Sequence, residues 1–168
     1  VGRVAVPNGA TYSASKFALA GWTDALSIER WKTRHVCTGR EEVAAALGVK
    51  NTIPNVSAVV FRRDVLAGVL RGHLNQIAAF RSAGDWLTYL RVLEHGKVLF
   101  DPLPCNLHRR HAGSVVATQD AAAHRQEVLA LQALARRIHG LDESNRTAAD
   151  GYAASLEQAL KPEARPMK

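Results

Sequence analysis

An acidic residue flanked by aromatic side chains is the feature of this sequence that could do chemistry. Asp85 is followed by Trp86 and Tyr89, and a basic loop at residues 106–114 follows a predicted strand at residues 97–100. A carboxylate can take up a proton at a reacting centre, and arginine can pair with phosphate oxygens. This combination is typical of an active-site half that handles a polyanion.

A second pattern, which belongs to a different chemistry, is Tyr12 followed by Lys16. Apolar residues recur at helical spacing over residues 13–30, so a helix is predicted that sets both side chains on one face. An ammonium group beside a phenol favours the phenolate. Tyrosine can then act as an acid or base close to neutral pH.

Residues 2–19, with the sequence GRVAVPNGATYSASKFAL, resemble the active-site segment of the short-chain dehydrogenases/reductases. The resemblance covers about the first thirty residues and implies an NAD(P)-dependent oxidoreductase, with Tyr12 as catalytic acid/base and Lys16 as its partner. The Gly-rich cofactor turn and the catalytic serine of that family have no counterpart in the sequence given. An inherited helix without a working dehydrogenase site is therefore the alternative interpretation.

Residues 50–114 resemble the C-terminal half of the catalytic domain of inverting glycosyltransferases with the GT-A fold, of the large family-two type. The resemblance rests on NTIPNVS at 51–57, FRR at 61–63, AGDW at 83–86, LHRRH at 107–111 and HRQE at 124–127. In such enzymes a carboxylate accepts the proton of an acceptor hydroxyl while cations stabilise the departing diphosphate. The implied partners are a nucleotide-sugar and a glycan or glycoconjugate acceptor.

This second resemblance implies a role for particular residues. Asp85 would be the general base, and Trp86 would form a wall of the acceptor-sugar site. The basic loop would lie near the diphosphate and a divalent metal, Mg or Mn, with His111 as the metal residue. The residues of that loop are His108, Arg109, Arg110 and His111.

Each of these residues also has a purely structural interpretation. Asp85 stands where it could be the N-cap of a helix over residues 86–94, and residues 108–111 could form a solvated basic loop. The donor half of such a glycosyltransferase is expected upstream of residue 50, and its Asp-x-Asp metal motif occurs nowhere in the sequence. A basic, non-enzymatic module that binds an anionic partner is the third functional interpretation.

The composition is that of one globular domain with a basic surface. The 168 residues are 47% hydrophobic and 22% charged, and the net charge of +7 favours anionic partners. We expect no nucleic acid among them, while a peripheral membrane association, a homo-oligomer and a missing partner half are left open. Two cysteines, Cys37 and Cys105, lack metal-ligand spacing, and no apolar run approaches a membrane span. A cytoplasmic protein is expected.

The pattern along the chain predicts a helix-rich α/β fold, an incomplete GT-A-like (Rossmann-like) half-domain with a long N-terminal helix and C-terminal helices. Strands are predicted at residues 57–61 and 97–100, and exposed apolar edges are expected at both. Further helices are predicted at 41–47, 64–70 with a break near Gly72, 73–80, 86–94, 119–139 and 147–160. The predicted divisions are a dehydrogenase-like segment at 1–30, a junction at 31–49, a glycosyltransferase-like half at 50–140, and a helix with a tail at 141–168.

Overall fold

A computed structural model describes residues 32–53, 56–103 and 120–160 of the chain. This part is helix-rich and contains a small antiparallel sheet of two strands, so the helix-rich character predicted from the sequence is confirmed. Within these ranges, no helix is long and apolar enough to cross a membrane.

The sheet pairs strand β1 (His35–Thr38) with strand β2 (Lys97–Phe100), so that His35 lies opposite Phe100 and Thr38 opposite Lys97. Strand β2 is where the sequence predicts it. Strand β1 lies in the segment interpreted as a junction without a clear period, and that interpretation is wrong for these four residues. Its alternation is inverted, because His35 and Cys37 are half-buried while Val36 is 61% exposed. A hydrophobic pattern cannot reveal a strand whose apolar side chain faces outward.

Helix α1 (Gly39–Glu42) follows β1 directly and continues as a π-helical segment, Val43–Leu47, that ends at Gly48. A capping box starts the helix: the Thr38 side chain accepts from the Glu41 N–H, and the Glu41 carboxylate accepts from the Thr38 N–H. Gly39 is required here by close backbone packing, since a Cβ on it would lie 1.9 Å from the Leu93 carbonyl oxygen. The helix predicted over residues 41–47 is thus confirmed, with an earlier start.

A single helix, α2 (Arg63–Ala78), replaces the two helices predicted on either side of Gly72. The position of a Cβ on Gly72 has no atom within 4 Å, so this glycine sits on an open face. Glycine inside a helix costs only about 1 kcal/mol relative to alanine, which weakens the helix without ending it.

The strand predicted over residues 57–61 is wrong. Residues Val56–Ala58 form a 3₁₀ turn, and the chain then runs unpaired to α2, with Val60 fully exposed. A short apolar run predicts a strand only if another strand lies beside it, and none does in the described part of the chain. The expected apolar exposure near both predicted strands is nevertheless present, at Val60 and at Leu99.

Three further helices complete the described chain. Helix α3 (Gly84–Val92) runs into a 3₁₀ turn, Leu93–His95, and helix α4 (Ala121–His139) is capped by Asp120 and ends at Gly140 with a φ of 58°. Helix α5 (Glu143–Leu160) begins four residues before its predicted start, because the Asp142 carboxylate accepts the Asn145 N–H. The left-handed conformation of Gly140 turns the chain between α4 and α5.

The core forms where α3 packs among the π-helical segment and α4. Its members are buried side chains of all three elements: Val43, Leu47, Trp86, Leu87, Tyr89, Leu90, Val128, Leu131, Leu134 and Ala135. A buried amide, Gln132, adds polar ties, since its Nε2 donates to the Val49 carbonyl at 2.8 Å and to the Ala149 carbonyl at 3.0 Å. The segment after β1 and helix α5 are therefore held to the same core as α3.

Candidate functional site

Asp85 lies in the first turn of α3, one residue inside the helix rather than at its N-cap. The N-cap residue is Ala83, whose side chain makes no capping bond, and the helix begins at Gly84. The Asp85 Oδ1 atom accepts the N–H of its neighbour Trp86 at 2.7 Å. The interpretation of Asp85 as the N-cap of a helix starting at Trp86 is therefore wrong.

Glu127 of α4 does the capping at this end of α3. Its carboxylate accepts the backbone N–H of Arg81 at 2.7 Å and that of Ser82 at 3.0 Å, and the Ser82 hydroxyl at 2.5 Å. Burial disfavours the charged carboxylate, but the bonds from the Ser82 hydroxyl and from the N–H groups of Arg81, Ser82 and Ala83 outweigh it and lower its pKa. With the chain before α3 held by Glu127, the Asp85 carboxylate is not needed for that task.

The nearest polar side chain to the Asp85 carboxylate is the amide of Asn51. Its Nδ2 donates to this carboxylate, 3.4 Å from Oδ2 and 3.5 Å from Oδ1. The Asn51 Oδ1 atom accepts the N–H of Ile53 at 3.1 Å, a local bond that turns the amide so that its NH₂ group faces Asp85. Asn51 therefore presents a donor, and not an acceptor, to the carboxylate.

Burial raises the pKa of Asp85 above its ordinary value of 3.8, and the bonds from the Trp86 N–H and the Asn51 amide offset only part of that effect. A carboxylate that has lost part of its hydration binds a proton more tightly. Such a group is a better proton acceptor near neutral pH than a fully solvated aspartate.

No protein-family model matches this chain, and no curated protein or solved structure matches it. Both resemblances read from the sequence therefore remain expectations. What the described side chains can do chemically is the basis for a proposed function.

Tyr89 lies one helical turn after Asp85 and shares its face of α3. The side chain is buried, and its hydroxyl has no hydrogen-bond partner among the residues the structure describes. Burial raises the pKa of this phenol, and the negative charge of Asp85 raises it further. Its ring stacks on Phe61 with the centroids 6.2 Å apart. A neutral, desolvated phenol thus stands beside the carboxylate.

Asn51 and Tyr89 are site residues that the sequence analysis did not select. Tyr89 could have been found from its spacing, since residues four apart on a helix share a face. Asn51 could not, because its approach to Asp85 joins positions 34 residues apart. Only the packing of the segment after α1 against α3 brings them together.

Trp86 belongs to the core. Its side chain is 1% exposed, and its Nε1–H donates to the Leu47 carbonyl at 2.8 Å. The residue is part of the apolar face of α3, together with Leu87 and Leu90, which are also fully buried. We therefore assign Trp86 to packing and not to a wall of an acceptor-sugar site.

The remaining predicted site residues lie outside the described part of the chain. They are Tyr12, Lys16, His108, Arg109, Arg110 and His111. Of the predicted constellation, the structure therefore describes Asp85 and Trp86 only, and the predicted metal residue His111 is not among the described ones.

Ser82, His124 and Glu127 form a polar cluster that resembles a hydrolytic triad only in composition. The Ser82 Oγ atom lies 3.2 Å from His124 Nδ1 and donates to Glu127 at 2.5 Å. In a nucleophilic triad the histidine stands between the serine and the acid and takes the serine proton. Here the serine stands between the other two and gives its hydrogen to the carboxylate, an arrangement that suits capping.

One group of described side chains could hold a metal ion: His35 and Cys37 of β1 and Glu42 of α1. A ligand atom from each of them lies within 4.8 Å of the other two. The sequence analysis did not select this group, because its spacing was tested between the two cysteines. An imidazole and a thiol two residues apart on one strand, followed by a carboxylate, would have been the signal.

Proposed function

We propose that this chain carries the acceptor side of an inverting glycosyltransferase, with Asp85 as the general base. The observation that supports the proposal is the state of that carboxylate. It is half-buried, its pKa is raised by desolvation, and it is not the N-cap of its helix. These are properties of a proton acceptor tuned by its surroundings.

In the proposed reaction the acceptor hydroxyl attacks the anomeric carbon of a nucleotide-sugar while Asp85 takes up the hydroxyl proton. The new oxygen–carbon bond forms on the face opposite the departing nucleoside diphosphate, so the configuration inverts. The electron pair of the broken bond leaves with the diphosphate. A divalent ion such as Mg or Mn would neutralise that charge when bound, together with the basic residues 108–111 assigned by resemblance.

Asn51 has a positioning role in this proposal. Because its Oδ1 atom is bonded to the Ile53 N–H, its NH₂ group can only donate, and it favours the ionised form of Asp85 over the protonated one. The amide keeps the carboxylate oriented without raising its proton affinity. It would also keep part of the carboxylate free of bulk water.

Tyr89 and Phe61 would lower the local dielectric constant around the base. The Tyr89 phenol is buried, and it makes no hydrogen bond to the carboxylate, so it does not relieve the negative charge there. A carboxylate beside a stacked pair of aromatic rings is less well hydrated than one in water, and its proton affinity rises accordingly.

The test uses the whole chain and a panel of uridine, guanosine and thymidine diphosphate sugars with Mg or Mn. Binding is measured by calorimetry, and transfer by release of the nucleoside diphosphate in the presence of sugar acceptors. Asp85→Asn should lower turnover at least about 100-fold, the smaller end of what a general base contributes. The matched control is Asp64→Asn, which changes an exposed aspartate at the same position of α2 and should leave turnover unchanged.

Two results would overturn the proposal. The first is a wild-type chain that binds none of the nucleotide-sugars and releases no nucleoside diphosphate. The second is an Asp85→Asn variant that folds normally and turns over as fast as the wild type. If Asp85 is the base, turnover should also fall as the pH drops through its raised pKa, since the protonated carboxyl can no longer accept a proton.

A further inference from the structure

We propose that His35, Cys37 and Glu42 bind a divalent transition-metal ion of the zinc class. The three side chains come from a strand and the helix that follows it, and one ligand atom of each lies within 4.8 Å of the other two. Imidazole, thiolate and carboxylate are the three side-chain ligands that zinc accepts in proteins. The site is separate from the proposed glycosyl-transfer chemistry and does not depend on it.

The local sequence builds this arrangement in two steps. Alternate residues of a strand point to the same side, so His35 and Cys37 share the half-buried face of β1 while Val36 points outward. The capping box of Thr38 and Glu41 then starts α1 without any intervening loop. Glu42 is thereby carried back over the strand, where it is only 8% exposed.

The distance between two of the ligand atoms already fits a bound ion. The Cys37 Sγ atom lies 3.5 Å from Glu42 Oε2. A tetrahedral zinc ion with a bond of about 2.3 Å to sulfur and about 2.0 Å to oxygen holds those two ligands about 3.5 Å apart. The thiol and the carboxylate could therefore both bind an ion with little movement.

The imidazole of His35 is held in the way that metal-binding histidines usually are. Its Nδ1 atom lies 3.2 Å from the Thr33 carbonyl oxygen, which can only accept, so Nδ1 carries the hydrogen. The neutral ring then has its lone pair on Nε2. Stacking on Phe100, with the ring centroids 5.3 Å apart, fixes the plane of the ring. A backbone carbonyl that orients the second nitrogen is a common outer partner of histidine ligands.

The set of ligand atoms selects the class of metal. A thiolate and an imidazole favour zinc or its spectroscopic substitute cobalt, whereas Mg and Mn prefer oxygen ligands. On binding, the Cys37 thiol loses its proton to solvent, and the thiolate, the imidazole and the Glu42 carboxylate bond to the ion. Three protein ligands leave a fourth position of a tetrahedral ion for water or another donor.

The test is a titration of the reduced, metal-free chain with Co(II), followed by the absorption band of charge transfer from thiolate to cobalt. One equivalent should produce the band, and one equivalent of Zn(II) should remove it. Cys37→Ser should abolish the band, whereas Cys105→Ser, the matched control, should keep it. His35→Gln and Glu42→Gln should weaken cobalt affinity at least about tenfold, whereas His95→Gln should not change it.

Thermal unfolding of each variant without metal shows whether it is folded, so a lost band can be separated from a lost structure. Zn(II) should raise the unfolding temperature of the wild type and of Cys105→Ser, but not that of folded Cys37→Ser. The proposal is overturned if the wild type gives no band with excess Co(II), or if folded Cys37→Ser still gives one. Neither readout requires glycosyl transfer.

Discussion

Asp64 and Asp85 occupy the same position in successive helices, the second residue of α2 and of α3, yet their pKa values move in opposite directions. Asp64 is exposed, and its bond from Arg62, at 3.1 Å, lowers its pKa. Asp85 is half-buried and has an uncharged amide as its partner, so its loss of hydration prevails. Since helix position is common to both, burial is what makes Asp85 a candidate base.

This contrast predicts opposite dependences of stability on pH. The folded state holds the proton of Asp85 more tightly than the unfolded state does, so its stabilising contribution is complete below pH 3.8 and is lost as the pH rises through the raised pKa. The unfolding free energy of the wild type minus that of Asp85→Asn should therefore fall as the pH rises. Urea unfolding at a series of pH values measures this difference.

Asp64→Asn is the control for that experiment. Because the folded pKa of Asp64 is lowered, its contribution is present above pH 3.8 and is lost as the pH falls through the folded value. The difference between wild type and Asp64→Asn should thus change in the opposite direction. Curves that run in the same direction for both variants would contradict the assignment of burial to Asp85.

Most helices of the described chain could be predicted from sequence because their signals are local. Asp120 before α4 and Gly140 after it fix both ends of that helix, and apolar spacing supplies the middle. Strand β1 could not be predicted, since His35 and Cys37 face inward only because β2 lies beside it. The same reason explains the wrong strand at residues 57–61, where the apolar run lacks a neighbouring strand among the described residues.

Replacing Glu127 by alanine should destabilise the fold by about 1–3 kcal/mol, since the N–H groups of Arg81 and Ser82 would lose their acceptor. The lowered pKa of Glu127 means that its contribution is present above pH 4.5 and is lost as the pH falls through the folded value. The loss of unfolding free energy should therefore shrink in acid. Glu157→Ala, which removes an exposed ion pair with Arg125, should cost less than about 1 kcal/mol. Equal losses for the two variants would rule out the capping role.

Two glycines should respond to alanine with opposite signs. Gly39→Ala would place a Cβ 1.9 Å from the Leu93 carbonyl oxygen, so backbone must move, and a loss of about 1–3 kcal/mol is expected. Gly72→Ala meets nothing within 4 Å and should stabilise α2 by about 1 kcal/mol. Chemical denaturation of both variants checks the pair. A stabilising Gly39→Ala would mean that the close contact between α1 and the Leu93 turn is absent.

The candidate site was predictable to the extent that one residue type could be selected from its neighbours. The sequence identifies Asp85 as an acid beside aromatic residues, but its environment depends on Asn51, which reaches it through tertiary packing. Trp86 illustrates the opposite error, because an aromatic residue next to a candidate base suggests a sugar wall until its burial and its bond to Leu47 are known. Periodicity placed both residues on a helix, and only packing separates a site residue from a core residue.

Tyr89→Phe tests whether the buried phenol lacks a partner. Removing a buried hydroxyl that makes no hydrogen bond abolishes a desolvation penalty, so the free energy of unfolding should stay unchanged or rise by about 1 kcal/mol. Trp86→Phe is the matched control on the same helix. It deletes the bond to the Leu47 carbonyl and part of a fully buried ring, and should cost about 1–3 kcal/mol.

The phenylalanine variant should also leave the stacking on Phe61 intact, since the ring is retained. The pKa of Asp85 should stay raised in it, because burial is the first cause of the shift and the hydroxyl donates no bond to the carboxylate. Carbon NMR of the Asp85 carboxyl across a pH titration reports that pKa directly in both forms. If Tyr89→Phe destabilises the chain by more than 1 kcal/mol, or raises the Asp85 pKa further, the hydroxyl does donate a hydrogen bond that stabilises the carboxylate.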